Sequence, residues 1–238
     1  MNRRMKDSHI EWTDHTFNPW IRCTKVSPGC EHCYAEVESK RRNWAQWGNG
    51  KPRMRTSPEM WKEPLRWNKE ALKARERRRV FCASLADVFD EEVDPQWRAD
   101  LWCMVQKTPQ LMWLILTKRT DSIAGNLPED WGEGWPNVCL MTSVEDQTRA
   151  ARIGTLIEIP ARFRGVSIEP LLAPVTLEPK WLEKLNWVIV GGESGPKARP
   201  MHPQWALSLR DQCRTARTKF LFKQWGAGVL MTERRCPI

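Results

Sequence analysis

From Val80 onward the chain alternates short apolar runs with segments of helical or loop length, and each run closes on polar or charged residues. The runs are VFCASLADVFD (80–90), LMWLILTKR (111–119), NVCLMTSVED (137–146), RFRGVSIEPL (162–171), NWVIVGGESG (186–195) and KFLFKQWG (219–226). Continuous apolar runs of this kind suit strands buried on both faces of a parallel sheet. Between them, residues 94–107, 145–157, 178–185 and 203–217 read as helical segments, the first opened by the helix-entry pair Asp94-Pro95. With a first strand expected near residues 10–13, about seven strands are available. The expectation is an α/β fold in one domain spanning 1–238, a complete or partial (β/α) TIM-like barrel.

Upstream of this rhythm lies IEWTDHTFNPWIRCTKVSPGCEHCYAE (10–36), which places Cys23, Cys30 and Cys33 within eleven positions around a turn-prone Ser27-Pro28-Gly29. Residues 34–47 then read as a helix ended by Gly48-Asn49-Gly50. The cysteine loop therefore follows the first strand. Three thiolates on one short loop can converge on one metal centre. A mononuclear zinc site wants a fourth protein ligand, whereas a 4Fe-4S cluster can be held by three cysteines with one iron left open. A basic, Trp-rich insertion is expected around 48–79, its second half either a solvated helix face or an anion-binding surface.

Polar residues recur where the apolar runs end: Ser84 and Asp87; Thr117 with Lys118 and Arg119; Thr142 with Ser143 and Glu145; Ser167 with Glu169; Gly191-Gly192-Glu193-Ser194; and Lys223 with Gln224. In a barrel these strand ends meet on the face where active sites are built, and the cysteine loop joins them there. Each residue taken singly also reads as a cap or loop residue; together they form a polar rim that a purely structural barrel does not need. Gly191-Gly192 lets backbone amides approach a ligand, or simply makes a tight exit turn. The run is neither a P-loop nor a dinucleotide fingerprint.

Composition narrows the field further. The 238 residues carry a formal net charge of +9, which favours an anionic partner such as nucleic acid or a phosphorylated small molecule. Eight cysteines, three of them crowded on one loop, point to metal and not to a disulfide scaffold, with Cys82 and Cys139 reading as core thiols. Fifteen tryptophans are expected in the core or lining a pocket, with base stacking as a further use. No apolar run reaches membrane-spanning length and the first residues are polar, so a soluble, cytoplasmic protein without a membrane partner is expected. Neither GxSxG nor HExxH occurs, which leaves a conventional hydrolase without a recognisable nucleophile or zinc motif.

In order and wording, IEWTDHTFNPWIRCTKVSPGCEHCYAE, FCASLADVF, LILTKR, TSVEDQ, VSIEPLL, VIVGGESGPKARPMHP and FKQWG resemble the phage-associated three-cysteine-motif proteins, a family similar to the radical S-adenosylmethionine (SAM) superfamily. The resemblance covers most of the chain. It implies that Cys23, Cys30 and Cys33 ligate three irons of a 4Fe-4S cluster and that SAM chelates the fourth. An electron from a flavodoxin- or ferredoxin-type donor then cleaves SAM to methionine and a 5′-deoxyadenosyl radical. Two departures from the superfamily pattern shift roles. Six residues separate Cys23 from Cys30, and His32 replaces the usual aromatic, so the adenine contact falls to His32 or Tyr34. The Gly-Gly-Glu run follows a late strand, so Asp87, beside Ser84, is expected to take the methionyl ammonium, and Lys118 or Arg119 its carboxylate. Ser143, Glu145 and Ser167 complete the expected cofactor set, while Glu169, Gly191, Gly192, Glu193, Lys223 and Gln224 are expected to serve catalysis or substrate. The implied substrate is a nucleoside, a nucleic acid or a related metabolite. The alternative is a non-catalytic zinc protein that binds nucleic acid, using the three cysteines with His32, His15 or His202.

Overall fold

The computed structural model describes residues 10–227 apart from 43, 45, 46, 49 and 196. Cys236 and the rest of the C-terminal segment lie outside the described residues, as does part of the expected helix over 34–47. Seven strands form one parallel sheet: β1 (His15–Thr16), β4 (Arg78–Cys82), β5 (Leu111–Thr117), β6 (Val138–Ser143), β7 (Phe163–Ile168), β8 (Trp187–Gly191) and β9 (Lys219–Gln224). They are hydrogen-bonded in that order, so every crossover links neighbouring strands. A small antiparallel pair, β2 (Trp20–Ile21) with β3 (Met54–Arg55), sits beside the cysteine loop. Because β1 and β9 are the two ends of the hydrogen-bonded order, the sheet curls into a partial barrel instead of closing.

Strand residues alternate between two apolar layers, as the pleat requires. Leu111, Trp113 and Ile115 of β5 point outward into a core shared with Val80, Cys82, Val138 and Leu140. Met112, Leu114 and Leu116 point inward, where they meet Trp12, Phe81, Cys139, Met141 and Ile189. The outer face is covered by α2 (Pro58–Ala74), α3 (Pro95–Gln106), α4 (Ala151–Glu158), α5 (Pro179–Lys184) and α6 (Pro203–Ala216). With both faces covered, the strands are nearly all apolar, which is why they stood out as runs.

Helix entries follow local chemistry. The Asp94 carboxylate accepts from the Gln96 amide at 2.8 Å and Pro95 occupies the first turn of α3, where a missing N–H leaves no gap. The 48–79 segment, expected as an insertion, carries β3 and α2. Trp67 and Ala71 of α2 are fully buried against the sheet, so this helix is the first β-to-β crossover.

Two further departures from the sequence reading have physical causes. Residues 10–13 form a turn closed by the Thr13 amide on the Ile10 carbonyl. The Thr13 hydroxyl then bonds the Arg79 carbonyl and accepts from the Phe81 amide, both at 3.0 Å, so a side chain takes the ladder position and pairing begins only at His15. Between β5 and β6 no α-helix forms. Trp131 and Trp135 pack on Trp102 of α3, with ring centroids 5.6–5.8 Å apart, and fill the space a crossover helix would take.

Candidate cofactor site

The inward series of each strand changes from apolar to polar at its carboxyl end. Leu116 is followed two positions on by Lys118, Met141 by Ser143, Gly165 by Ser167 and Glu169, Ile189 by Gly191 and Glu193, and Leu221 by Lys223. A cavity of about 450 Å³ opens over these ends. Trp12, Phe81 and Leu116 belong to its wall and continue into the inner apolar layer. Cys23, Cys30 and Cys33 face the same space, all three free of disulfides. The chain turns into the cysteine loop at Arg22, whose φ of 92° lies in the region that favours glycine. It leaves the loop at Cys33, the residue just before α1 (Tyr34–Arg41).

The loop is held from four strand ends. After β4 and β5, Arg119 pairs with Asp87 at 3.2 Å and donates to the Thr24 carbonyl at 2.7 Å. The Thr24 hydroxyl accepts from buried Arg53 at 2.7 Å. After β6, Glu145 is fully buried and its carboxylate accepts from the Ser27 hydroxyl at 2.6 Å and from Arg152 at 3.0 Å. A Cβ on Gly29 would fall 2.5 Å from the Glu145 side chain, so only glycine leaves Glu145 room beneath the loop. After β8, Arg199 binds both oxygens of Glu193 and reaches the Pro28 carbonyl and the Glu31 carboxylate, each at 2.9 Å. His32 Nδ1 lies 3.2 Å from Glu193 Oε2. Burial works to raise the Glu193 carboxyl, but the Arg199 and His32 contacts outweigh it and hold it below the usual carboxylate range.

These contacts separate walls from free groups. Asp87 accepts from the Thr117 hydroxyl, the Phe89 and Lys118 amides and Arg119, so both of its oxygens are filled by protein donors. The Ser84 hydroxyl is taken by Asn18, and the Tyr34 hydroxyl donates to the Ser84 carbonyl at 2.5 Å. By contrast, Lys118 Nζ and the Ser143 and Ser167 hydroxyls have no hydrogen-bond partner among the described residues. Ser143 and Ser167 are register partners on adjacent strands, and Thr117 pairs with Thr142, which puts Lys118 level with Ser143. Three free donors thus stand side by side on three neighbouring strands. Burial pulls the Lys118 ammonium down, but Cys30, Glu145, Cys33 and Asp87 more than offset it, and Lys118 stays charged.

Of the residues singled out in the sequence, Cys23, Cys30, Cys33, His32, Tyr34, Ser84, Asp87, Lys118, Ser143, Ser167, Glu169, Gly192, Glu193 and Lys223 all line the cavity. Glu145, Gly191 and Gln224 do not: Glu145 lies beneath the loop, Gly191 beneath the Glu169 and Lys223 side chains, and Gln224 turns its amide to Ser194 at 2.8 Å. Arg199, Ser27 and Trp12 lie within the stretches that carry the resemblance but have no role assigned from the sequence, and their contacts emerge only from the fold. The histidines offered for zinc are placed elsewhere or engaged. His15 stacks on Trp67 under α2, His202 caps α6 through the Gln204 amide, and His32 faces Glu193. Among the described residues no group of three or more His, Cys, Asp or Glu is arranged around a single metal ion, and none of the helices is long and apolar enough to cross a membrane.

The donor chemistry fits an iron-sulfur cluster: three thiols free of disulfides line one cavity, beside an ammonium and hydroxyls that have no hydrogen-bond partner among the described residues. Burial, the Asp87 carboxylate and the Cys33 thiol push the Cys23 thiol up, so ligation there would release a proton.

No curated protein matches the chain. Solved structures of spore photoproduct lyase do. The enzyme complexed with dinucleoside spore photoproduct superposes with a TM-score of 0.55 at 11% identity, covering 97% of this chain and 81% of that one. A double mutant with bound AdoMet and dinucleoside spore photoproduct gives 0.55 at 9%, covering 94% and 80%. A single mutant gives 0.56 at 10%, again covering 94% and 80%. At such identities the likeness is one of fold. A family model described as a protein of unknown function (DUF5131) matches residues 7–235, and the chain belongs to that family.

Proposed function

We propose that this protein is a radical SAM enzyme in which Cys23, Cys30 and Cys33 hold a 4Fe-4S cluster. The observation that carries the reading is the joint exposure of the three free thiols and the uncommitted Lys118, Ser143 and Ser167 to one cavity at the carboxyl ends of a parallel partial barrel. The fold shared with spore photoproduct lyase, one structure of which contains AdoMet, supports it. Together, cluster and SAM supply one-electron reductive cleavage to methionine and a 5′-deoxyadenosyl radical that abstracts hydrogen from substrate.

The chain's own residues do the rest. Lys118 meets the SAM carboxylate as a charge-assisted donor. The Ser143 and Ser167 hydroxyls, free to donate and accept, serve its ammonium and ribose. Asp87 holds Arg119 and, through it, the cysteine loop, in place of the ammonium contact expected from the sequence. His32 or Tyr34, which flank Cys33, would supply the adenine contact. Trp12, Phe81 and Leu116 keep water from the inner side of the cavity. A flavodoxin- or ferredoxin-type protein provides the electron, and the substrate is a nucleoside, a nucleic acid or a related metabolite. That class agrees with the net charge of +9 and with the dinucleoside ligand of the structurally similar lyase.

Anaerobic reconstitution tests the cofactor assignment. A brown protein with about four iron and four sulfide per chain, whose reduced cluster responds spectroscopically to SAM, supports it. A colourless protein that takes up only zinc would favour the structural-zinc alternative.

A further inference from the structure

Glu169 and Lys223 form an ion pair on the cavity wall that neither the loop anchors nor the Lys118 row uses. Lys223 Nζ lies 2.5 Å from Glu169 Oε1, and Glu169 Oε2 has no hydrogen-bond partner among the described residues. Glu169 directly follows β7 and Lys223 lies on β9, with β8 between the two strands. They reach across β8 over Gly191, where no side chain intervenes and where a Cβ would make only ordinary contact, 3.4 Å from the Glu169 carboxyl carbon and 3.5 Å from Lys223 Cβ. The pair is not needed as a strap, since β7 and β9 are each hydrogen-bonded to β8 along their length. Its side chains remain 17% and 22% exposed, toward the cavity.

An ion pair in this position selects for a particular kind of ligand. An anionic group would take Lys223 and leave the Glu169 carboxylate desolvated without its partner, and a cationic group would do the reverse. An uncharged group that offers an N–H beside an acceptor satisfies both partners at once, the N–H donating to Glu169 Oε2 and the acceptor receiving from Lys223. The hydrogen-bonding edge of a nucleobase has this arrangement.

We infer that the Glu169–Lys223 pair reads the hydrogen-bonding edge of the substrate's nucleobase, so that the base and not a phosphate enters the cavity on the β9 side. This rests on the radical SAM reading for the identity of the site but is tested independently of turnover. Binding of uridine, guanosine, adenosine and cytidine to the reconstituted protein is measured anaerobically by equilibrium dialysis, alongside counterparts in which methyl groups replace every hydrogen on the edge nitrogen: 3-methyluridine, 1-methylguanosine, N6,N6-dimethyladenosine and N4,N4-dimethylcytidine. The expected result is that at least one nucleoside binds, that its methylated counterpart binds at least about tenfold more weakly, and that Glu169→Leu weakens the parent nucleoside by a similar factor with iron content unchanged. If no nucleoside binds, or if the methylated and parent compounds bind alike to the wild type, the inference fails even where Glu169→Leu does not fold. Formation of 5′-deoxyadenosine in the same preparation separates this failure from failure of the radical reading. A protein that cleaves SAM yet ignores the base edge overturns only the pair's role.

Discussion

Arg199 grips Glu193 through both carboxylate oxygens, with Nη2 2.6 Å from Oε1 and Nε 2.9 Å from Oε2, and the same guanidinium bonds the Pro28 carbonyl and Glu31 on the cysteine loop. One side chain thereby fixes the end of β8 to the cysteine loop on both sides of Cys30. Replacing Arg199 by alanine removes four side-chain contacts and leaves a buried carboxylate short of its counter-charge, a loss of about 2–4 kcal/mol. The expected outcome for Arg199→Ala is a fold that survives, a lower melting temperature and substoichiometric iron after reconstitution. Arg199→Lys retains the charge but not the fork, and should recover stability better than iron content. Full iron loading in Arg199→Ala would show that the clamp is not needed to position the ligands.

The same pair makes stability depend on pH in a defined direction. The Glu193 carboxyl is held below its ordinary value of 4.5, so its contribution is complete above that value and is lost as pH falls through the lower folded-state value. Chemical denaturation of the apo-protein should therefore show wild type more stable than Glu193→Gln at neutral pH, with the gap closing on acidification. A gap that stays constant down to about pH 3 would mean that folding does not lower the Glu193 carboxyl below its ordinary value.

Gly29 and Glu145 make a second anchor whose tightness can be tested genetically. A methyl at Gly29 meets the buried Glu145 side chain, so Gly29→Ala should destabilise by about 1–3 kcal/mol and shift the loop. In the double variant Gly29→Ala/Glu145→Ala the steric conflict is gone, and the combined loss should fall short of the sum of the single losses by about 1 kcal/mol or more. Additive losses in denaturant titrations would place the effect of Gly29→Ala elsewhere.

Lys118 is the cation of the site without a hydrogen-bond partner for its ammonium among the described residues. Lys118→Met should keep iron content and raise the dissociation constant for SAM about 10–100-fold, the range for a charge-assisted bond. Unchanged SAM affinity in equilibrium dialysis would remove Lys118 from the carboxylate contact.

How much of this was legible in the sequence follows from which interactions are local. Strands β4 to β8 carry continuous apolar runs because both faces of the sheet are covered there, and that pattern is carried by the residues themselves, whereas the edge strand β9 is only half-buried. The first strand, expected at 10–13, begins only at His15 because β1 is just His15–Thr16, whose burial depends on Trp67 from α2, more than fifty positions away. The location of the polar rim was equally readable, since it needs only the period of two. The division of labour within it was not. Glu145, Asp87 and Glu193 are engaged by Ser27, Arg119 and Arg199, and no periodicity relates 145 to 27 or 119 to 87. Such partners meet only once the sheet has brought the strand ends together, so free groups such as Lys118 and Ser143 could not be told from anchored ones.

The most direct test of the central claim is reductive cleavage of SAM. Reconstituted protein is reduced with dithionite in the presence of SAM and assayed for 5′-deoxyadenosine, in wild type and in Cys30→Ala. The account predicts product from the wild type and none from the variant; a wild-type protein with a fully loaded cluster that forms no 5′-deoxyadenosine would contradict it.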